Sequence, residues 1–110
     1  MGKVLDAIRQ IDQLAQQNKA VFLLAMTPLL RETGQPGSRD YEIKARQRLL
    51  EFTQSEKITY IDFLPLFNSV TQPKDLYQDH IHLNRLGNTL VSEQISKAIL
   101  EFVPKNIKEE

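Results

Sequence analysis

An aspartate and a histidine three residues apart, Asp79 and His82, have the residue types and the spacing of an acid–base pair. At this spacing the carboxylate can turn back and accept a hydrogen bond from the ring Nδ1–H, which leaves Nε2 free to act as a general base. The carboxylate would also stabilise the imidazolium that forms when Nε2 takes up a proton. The pattern therefore predicts that Asp79 orients His82 for proton transfer.

The pair belongs to a longer pattern, Asp-x-x-His-x-Asn-x-x-Gly over residues 79–87. A bare Asp-x-x-His is weak evidence, because it arises by chance in roughly one chain in ten of this length. The longer pattern fixes two more residues and is much more specific. Asn84 is a good N-cap for a following helix, and Gly87 is expected at a close-packing position. The segment therefore predicts a loop that presents two chemically active side chains and then enters a helix.

This segment resembles the last conserved block of the SGNH/GDSL hydrolases, serine esterases and lipase-like enzymes in which Asp and His lie three residues apart before the final helix. Residues 20–28 (AVFLLAMTP) are similar to that family's penultimate strand with its proline-containing active-site loop, and residues 60–63 (YIDF) to the strand before the catalytic loop. The resemblance implies that Asp79 and His82 are the acid and base of a catalytic triad. It also implies an ester or an acetylated small molecule as substrate.

The resemblance covers only the carboxyl-terminal part of the family's pattern. The family's nucleophile lies in a Gly-Asp-Ser block and its oxyanion hole uses a Gly-x-Asn-Asp block, and neither occurs in the 110 residues. We therefore expect a truncated site, with the amino-terminal strands of the usual sheet missing and the isolated chain inactive. The nucleophile would come from a missing amino-terminal segment or from a separate chain.

Ser38, in Gly37-Ser38-Arg39-Asp40, is the only serine that stands out as an alternative nucleophile within the chain. A catalytic serine requires a strained strand-to-helix turn and hydrogen-bond reach to its base. Because Ser38 follows a long loop instead of a strand, the sequence favours ordinary helix-entry chemistry at this position.

His80 and His82 form a His-x-His pair, which indicates a second kind of chemistry. Such a pair binds zinc when a third ligand converges on it, and Asp62, Asp75 and Glu93 are the candidate third ligands. A metal-binding module is therefore an alternative. The sequence favours a site with no metal and no cofactor, in which His80 is an ordinary loop residue.

Two further residues are candidates for substrate binding. Tyr77 comes just before Asp79 and could line a cleft, although a partly buried tyrosine with a solvated hydroxyl is an equally good interpretation. Thr27 lies in the loop that the family resemblance assigns to the active site.

The elements that must position these residues are predicted from the apolar pattern, which favours an α/β fold over a single domain, residues 1–110. The second helix is expected to place Tyr41, Ala45, Leu49 and Phe52 in the core and to leave Arg46 outside that stripe. The predicted order is helix 4–18, strand 20–26, loop 27–39, helix 40–52, strand 57–63, loop 64–76 with a short helical turn, and helix 84–102 with Val91, Ile95, Ala98, Ile99 and Phe102 in the core.

A strand–helix–strand unit of this kind predicts parallel strands with a right-handed crossover. The family resemblance implies a partial three-layer sandwich of the flavodoxin-like SGNH type. Two parallel strands leave exposed edges, whereas parallel sheets are normally larger and buried. We therefore expect the sheet to pair with a second copy of the chain, as a homodimer, or with strands of a missing segment.

Composition restricts the partners. Fourteen basic and fourteen acidic residues give no net charge, and this balance argues against a nucleic-acid partner. The longest apolar run, residues 20–26, is too short to span a bilayer, and residues 1–6 do not form a signal peptide. The chain as supplied is therefore expected to be cytoplasmic, with neither a membrane nor a nucleic acid as partner.

Three functions follow as hypotheses. The first is ester or O-acetyl hydrolysis with His82 as base and Asp79 as orienter, given a nucleophile from elsewhere. The second is a non-catalytic α/β binding or oligomerisation module, which the absent nucleophile and the exposed strand edges favour for the chain alone. The third is a metal-binding module built on His80 and His82.

Overall fold

The computed structural model describes residues 2–102, which contain four α-helices and a two-stranded sheet. The predicted α/β class is confirmed. The predicted core contact of Phe102 lies outside the described side chains. In chain order the elements are α1 (Gly2–Gln17), β1 (Leu23–Met26), α2 (Asp40–Glu56), β2 (Thr59–Asp62), α3 (Leu64–Asn68) and α4 (Arg85–Phe102), with short 3₁₀ helices at Leu30–Glu32 and Pro73–Leu76.

The two strands run parallel, as predicted, and Leu23 to Met26 align with Thr59 to Asp62. Both begin later than predicted, because a lysine in the left-handed region ends the preceding helix. Lys19 has φ 56° and Lys57 has φ 58°. The Ala20 N–H donates to the Ala15 carbonyl at 2.8 Å and so closes α1 instead of opening β1.

Helices cover both faces of the sheet, because successive strand residues point to opposite sides. On one face, partly buried strand side chains pack with Ile8 of α1 and Leu49 of α2. On the other face, Ile61 packs against a cluster centred on Phe63 and Phe67. The second cluster also contains Leu76 and Tyr77, and α4 packs against it through Leu90, Val91 and Ile95.

The buried face of α2 differs from the predicted stripe. Tyr41 is 60% exposed, whereas Arg46, Leu49 and Thr53 are buried. Arg46 can lie inside because the carboxylates of Glu32 and Asp62 neutralise it. The predicted cap Asp40 is the first helical residue, and the preceding Arg39 occupies the cap position.

The start of α4 agrees with the sequence pattern. Asn84 caps the helix, its Oδ1 accepting the Gly87 N–H at 3.0 Å. A Cβ on Gly87 would lie 2.3 Å from the Leu76 carbonyl oxygen, so this position requires glycine for close packing. Farther along, Ile99 is 47% exposed, contrary to its predicted place in the core.

The molecule is a thin slab with principal extents of 46 × 35 × 18 Å. Its radius of gyration is 15.7 Å, whereas a compact chain of this length has about 13 Å. The fold is therefore more extended than a compact domain of this length, and large apolar side chains such as Leu14, Val21 and Ile81 are exposed. Within residues 2–102, no helix has the length and apolar character needed to cross a bilayer.

Candidate active site

Asp79 and His82 form a directly bonded pair in the loop before α4. Asp79 Oδ2 lies 2.7 Å from His82 Nδ1. The other oxygen, Oδ1, accepts the backbone N–H of His82 at 2.6 Å and that of Ile81 at 2.8 Å. One carboxylate therefore fixes both the course of the loop and the orientation of the imidazole.

These bonds extend the range over which Asp79 is ionised further into acid. The backbone N–H groups of His82 and Ile81, followed by the His82 side chain, lower the pKa of Asp79 to about 2. An ionised carboxylate can only accept a hydrogen bond from Nδ1–H, so it favours the tautomer that leaves Nε2 unprotonated. The His82 side chain is 67% exposed, and Nε2 has no hydrogen-bond partner among the described residues.

The loop that carries the pair is closed by backbone bonds. The Gln78 N–H donates to the His82 carbonyl at 2.9 Å, and Tyr77 forms an antiparallel bridge with Leu83. The Asn84 N–H then donates to the Leu76 carbonyl at 2.9 Å. The loop is thus tied at both ends to the packed segment before α4.

The loop after β1 meets this segment. The Leu30 N–H donates to the His80 carbonyl at 3.0 Å, and the Tyr77 hydroxyl donates to the Pro28 carbonyl. The structure therefore brings together two segments that the sequence separates by about fifty residues. Thr27 is exposed beside Pro28, and its contact with substrate stays a prediction.

Tyr77 is buried, which corrects the expectation that its hydroxyl is solvated. It is 7% exposed, and burial raises its pKa to about 12. Its ring meets Phe67 edge-on at 5.9 Å between centroids. This placement favours a role in anchoring the loop after β1 over direct contact with a substrate.

Ser38 lies in a different cluster from His82. Its hydroxyl donates to Glu32 Oε1 at 3.1 Å, so it is bonded to Glu32 instead of His82. In the described part of the chain, no serine hydroxyl lies within hydrogen-bond distance of His82 Nε2. The structure therefore does not assemble Ser38 with the predicted pair.

An ionic cluster of buried Glu32 and Arg46 with the half-buried Asp62 is not evident from the apolar pattern of the sequence. Arg46 Nη2 lies 2.6 Å from Glu32 Oε1, and Nη1 bonds Asp62 Oδ1. Burial lowers the pKa of Arg46, but the hydrogen bonds to the two carboxylates outweigh it, so the pKa lies above the ordinary value. The available signal was the 46–49–53 spacing on α2, which places a polar residue on the apolar stripe.

The described residues offer no complete metal site. Across residues 2–102, no three His, Asp or Glu side chains converge as metal ligands. Among the candidate third ligands, Asp62 is bonded to Arg46, and Asp75 and Glu93 are exposed. The zinc hypothesis for His80 and His82 therefore lacks a third ligand within that range.

An open groove of 820 Å³ begins beside the loop and follows α4. Most of its lining side chains are amides and hydroxyls. They include Gln78, Asn88, Thr89, Ser92 and Ser96. Leu83 is the apolar member, and Arg85, Glu93 and Lys97 are charged.

Comparisons with protein-family models, with curated proteins and with solved structures find no match for this chain. The chemistry of the site therefore rests on its own geometry. That geometry consists of an exposed imidazole whose Nδ1 is held by an ionised carboxylate.

Proposed function

We propose that this chain carries the acid–base half of a serine ester hydrolase site of the SGNH/GDSL type. His82 is the base and Asp79 its orienting carboxylate. The observation that supports this most is the 2.7 Å contact between Asp79 Oδ2 and His82 Nδ1, with Oδ1 held by two backbone N–H groups. The exposed Nε2 is then available to a hydroxyl that approaches from solvent.

In this reaction Nε2 takes the proton of a serine hydroxyl as the serine oxygen attacks the ester carbonyl. Asp79 stabilises the imidazolium formed in that step. His82 then returns the proton to the departing alcohol, and a water molecule repeats the sequence to release the acid. The serine and the oxyanion donors come from polypeptide other than these 110 residues, so the chain alone is expected to lack serine esterase activity.

The substrate class follows from the family resemblance and is an ester or an O-acetylated small molecule. The groove beside the loop supports a polar alcohol portion. Gln78, Asn88 and Ser92 line it and offer hydrogen bonds, and Arg85, Glu93 and Lys97 add charges of both signs.

A non-catalytic oligomerisation module is the second candidate. One observation favours it: α1 and the segment that leads into β1 present uncovered apolar side chains, among them Ile11, Leu14 and Val21. In that reading the Asp79–His82 bond shapes the loop and performs no proton transfer.

Hydrolysis of p-nitrophenyl acetate tests whether Nε2 of His82 is the reactive nitrogen, because an unprotonated imidazole attacks this activated ester without a serine. We expect His82→Ala to remove most of the chain's reactivity, and the matched variant His80→Ala to keep it. Asp79→Asn should also lower the rate, because a neutral amide no longer holds the proton on Nδ1. Equal losses in the two histidine variants would contradict the proposal.

Intact mass after treatment with a fluorophosphonate tests the location of the nucleophile. We expect no adduct on the isolated chain, because Ser38 is bonded to Glu32. A stoichiometric adduct that disappears in His82→Ala would instead place an activated serine within these residues.

A further inference from the structure

Helix α1 carries an uncovered apolar stripe that we call the α1 seam: Val4, Ala7, Ile11 and Leu14. Val4, Ile11 and Leu14 are 54%, 51% and 61% exposed, and Ala7 is exposed as well. The spacing of three, four and three residues is the a/d pattern with which one helix packs along another. No described element covers this stripe.

The contacts of α1 fix the direction in which the seam points. Ile8 faces the core. Arg9, about 100° further round the helix, donates to Glu56 of α2 at 3.1 Å and lies 5.1 Å from the Phe52 ring centroid. Ile11 lies about 60° from Ile8 in the other direction. The seam therefore points away from α2.

The unpaired edge of β1 lies on the same side of the molecule. α2 packs on β2, and Ile8 of α1 packs in the cluster that contains Leu24 of β1, so a seam that points away from α2 faces the side of the free edge. Among the described residues β1 pairs with β2 alone, so its other edge offers free backbone donors and acceptors. The exposed side chains of Val21 (66%) and Ala25 lie before and within this strand.

We propose that the α1 seam and the free edge of β1 form the interface of a homodimer. A single two-fold axis beside β1 pairs the seam with the seam of the second copy and the free strand edge with the same edge of the second copy. It sets α1 antiparallel to α1 of the second copy, and β1 antiparallel to its own copy in a four-stranded sheet. Such an interface uses the same patch on both subunits, as cyclic dimers do.

Charge favours a second copy of the chain as the occupant. The positions that border the seam on its solvent side are Lys3, Gln10 and Gln17. In the antiparallel arrangement Lys3 lies near Gln17 of the other copy and Gln10 lies near the axis, so no like charges meet. Lys3 is the one charge on this border and faces a neutral glutamine across the two-fold axis, whereas the apolar stripe and the free strand edge are each complementary to their own copies.

Sedimentation velocity on the full chain tests the proposal. The wild-type chain should sediment as a species of twice the monomer mass of 12.7 kDa. The Ile11→Glu variant should sediment as the monomer. Ile43→Glu is the matched control: Ile43 is 54% exposed on α2, against 51% for Ile11, but lies outside the proposed interface. It should leave the dimer intact. Circular dichroism verifies that both variants keep their helix content.

A monomeric wild-type chain at all accessible concentrations would overturn the proposal, and it would favour a different polypeptide as the occupant. Equal effects of Ile11→Glu and Ile43→Glu would also overturn it. The proposed function does not enter this test, because Asp79 and His82 lie outside the interface and their bond can be measured in the monomeric Ile11→Glu variant.

Discussion

At the scale of single residues, the carboxylate of Asp79 is held mainly by the loop's own backbone. The N–H groups of His82 and Ile81 lower its pKa more than the imidazole does. The orienting charge is therefore present before His82 takes part in any reaction. An exposed carboxylate reaches this state without a buried cationic partner.

Removing the imidazole should leave most of this effect in place. In His82→Ala, the pKa of Asp79 should rise only part of the way from about 2 towards 3.8, because both backbone N–H groups remain. Carboxyl ¹³C shifts followed against pH measure this directly. A pKa that returns to its ordinary value would show that the imidazole holds the carboxylate.

The same shift sets the acid dependence of stability. Because the pKa of Asp79 is lower in the folded chain, its stabilising contribution is complete above about pH 3.8 and is lost as pH falls through about 2. Asp79→Asn should remove this dependence from acid unfolding curves. An unchanged acid limb in that variant would contradict the assignment.

Gly87 is required by the carbonyl of Leu76. Gly87→Ala places a Cβ 2.3 Å from that oxygen and should lower the free energy of unfolding by about 1–3 kcal/mol. Urea denaturation measures the change. Gly2→Ala, where no atom lies within 4 Å of the added Cβ, is the control and should be neutral or slightly stabilising. Equal free energies of unfolding for the two variants would contradict this requirement, because they would mean that α4 moves away from the added Cβ without loss of stability.

At the scale of elements, the sequence predicted those features that residues close together in the chain determine. The Asp79–His82 pair, the Asn84 cap and the glycine at 87 follow from a nine-residue pattern. The first residues of the two strands do not follow from the sequence, because the apolar pattern does not show that Lys19 and Lys57 adopt left-handed conformations and end α1 and α2. The bond from the Tyr77 hydroxyl to the Pro28 carbonyl was also beyond reach, since it depends on tertiary packing.

Arg46 joins three elements, because it lies on α2 and bonds Glu32 in the first loop and Asp62 in β2. Arg46→Met should destabilise the fold by about 3–5 kcal/mol, because it leaves a buried carboxylate without its partner. Adding Glu32→Gln should recover part of the loss.

Arg48→Met is the matched control, since Arg48 is exposed on the same helix. It should change the free energy of unfolding by less than about 0.5 kcal/mol. Chemical denaturation compares the two variants. Similar losses would show that the ionic cluster contributes nothing specific.

At the scale of the whole molecule, the 18 Å slab and the bare α1 seam connect stability to association. If the dimer is the folded species, the unfolding midpoint of the wild-type chain should rise with protein concentration. The midpoint of Ile11→Glu should be lower and independent of concentration. Thermal unfolding over a wide range of concentrations measures both, and a constant wild-type midpoint would contradict the association.

The tautomer of His82 tests most directly whether Asp79 orients a base. Nitrogen-15 NMR, at a pH where the imidazole is neutral, should show the proton on Nδ1 and an unprotonated Nε2. His80, the only other histidine in the chain, provides the internal reference and should keep the Nε2–H form that free imidazole prefers. Asp79→Asn should return His82 to that form. A proton on Nε2 of wild-type His82 would contradict the account.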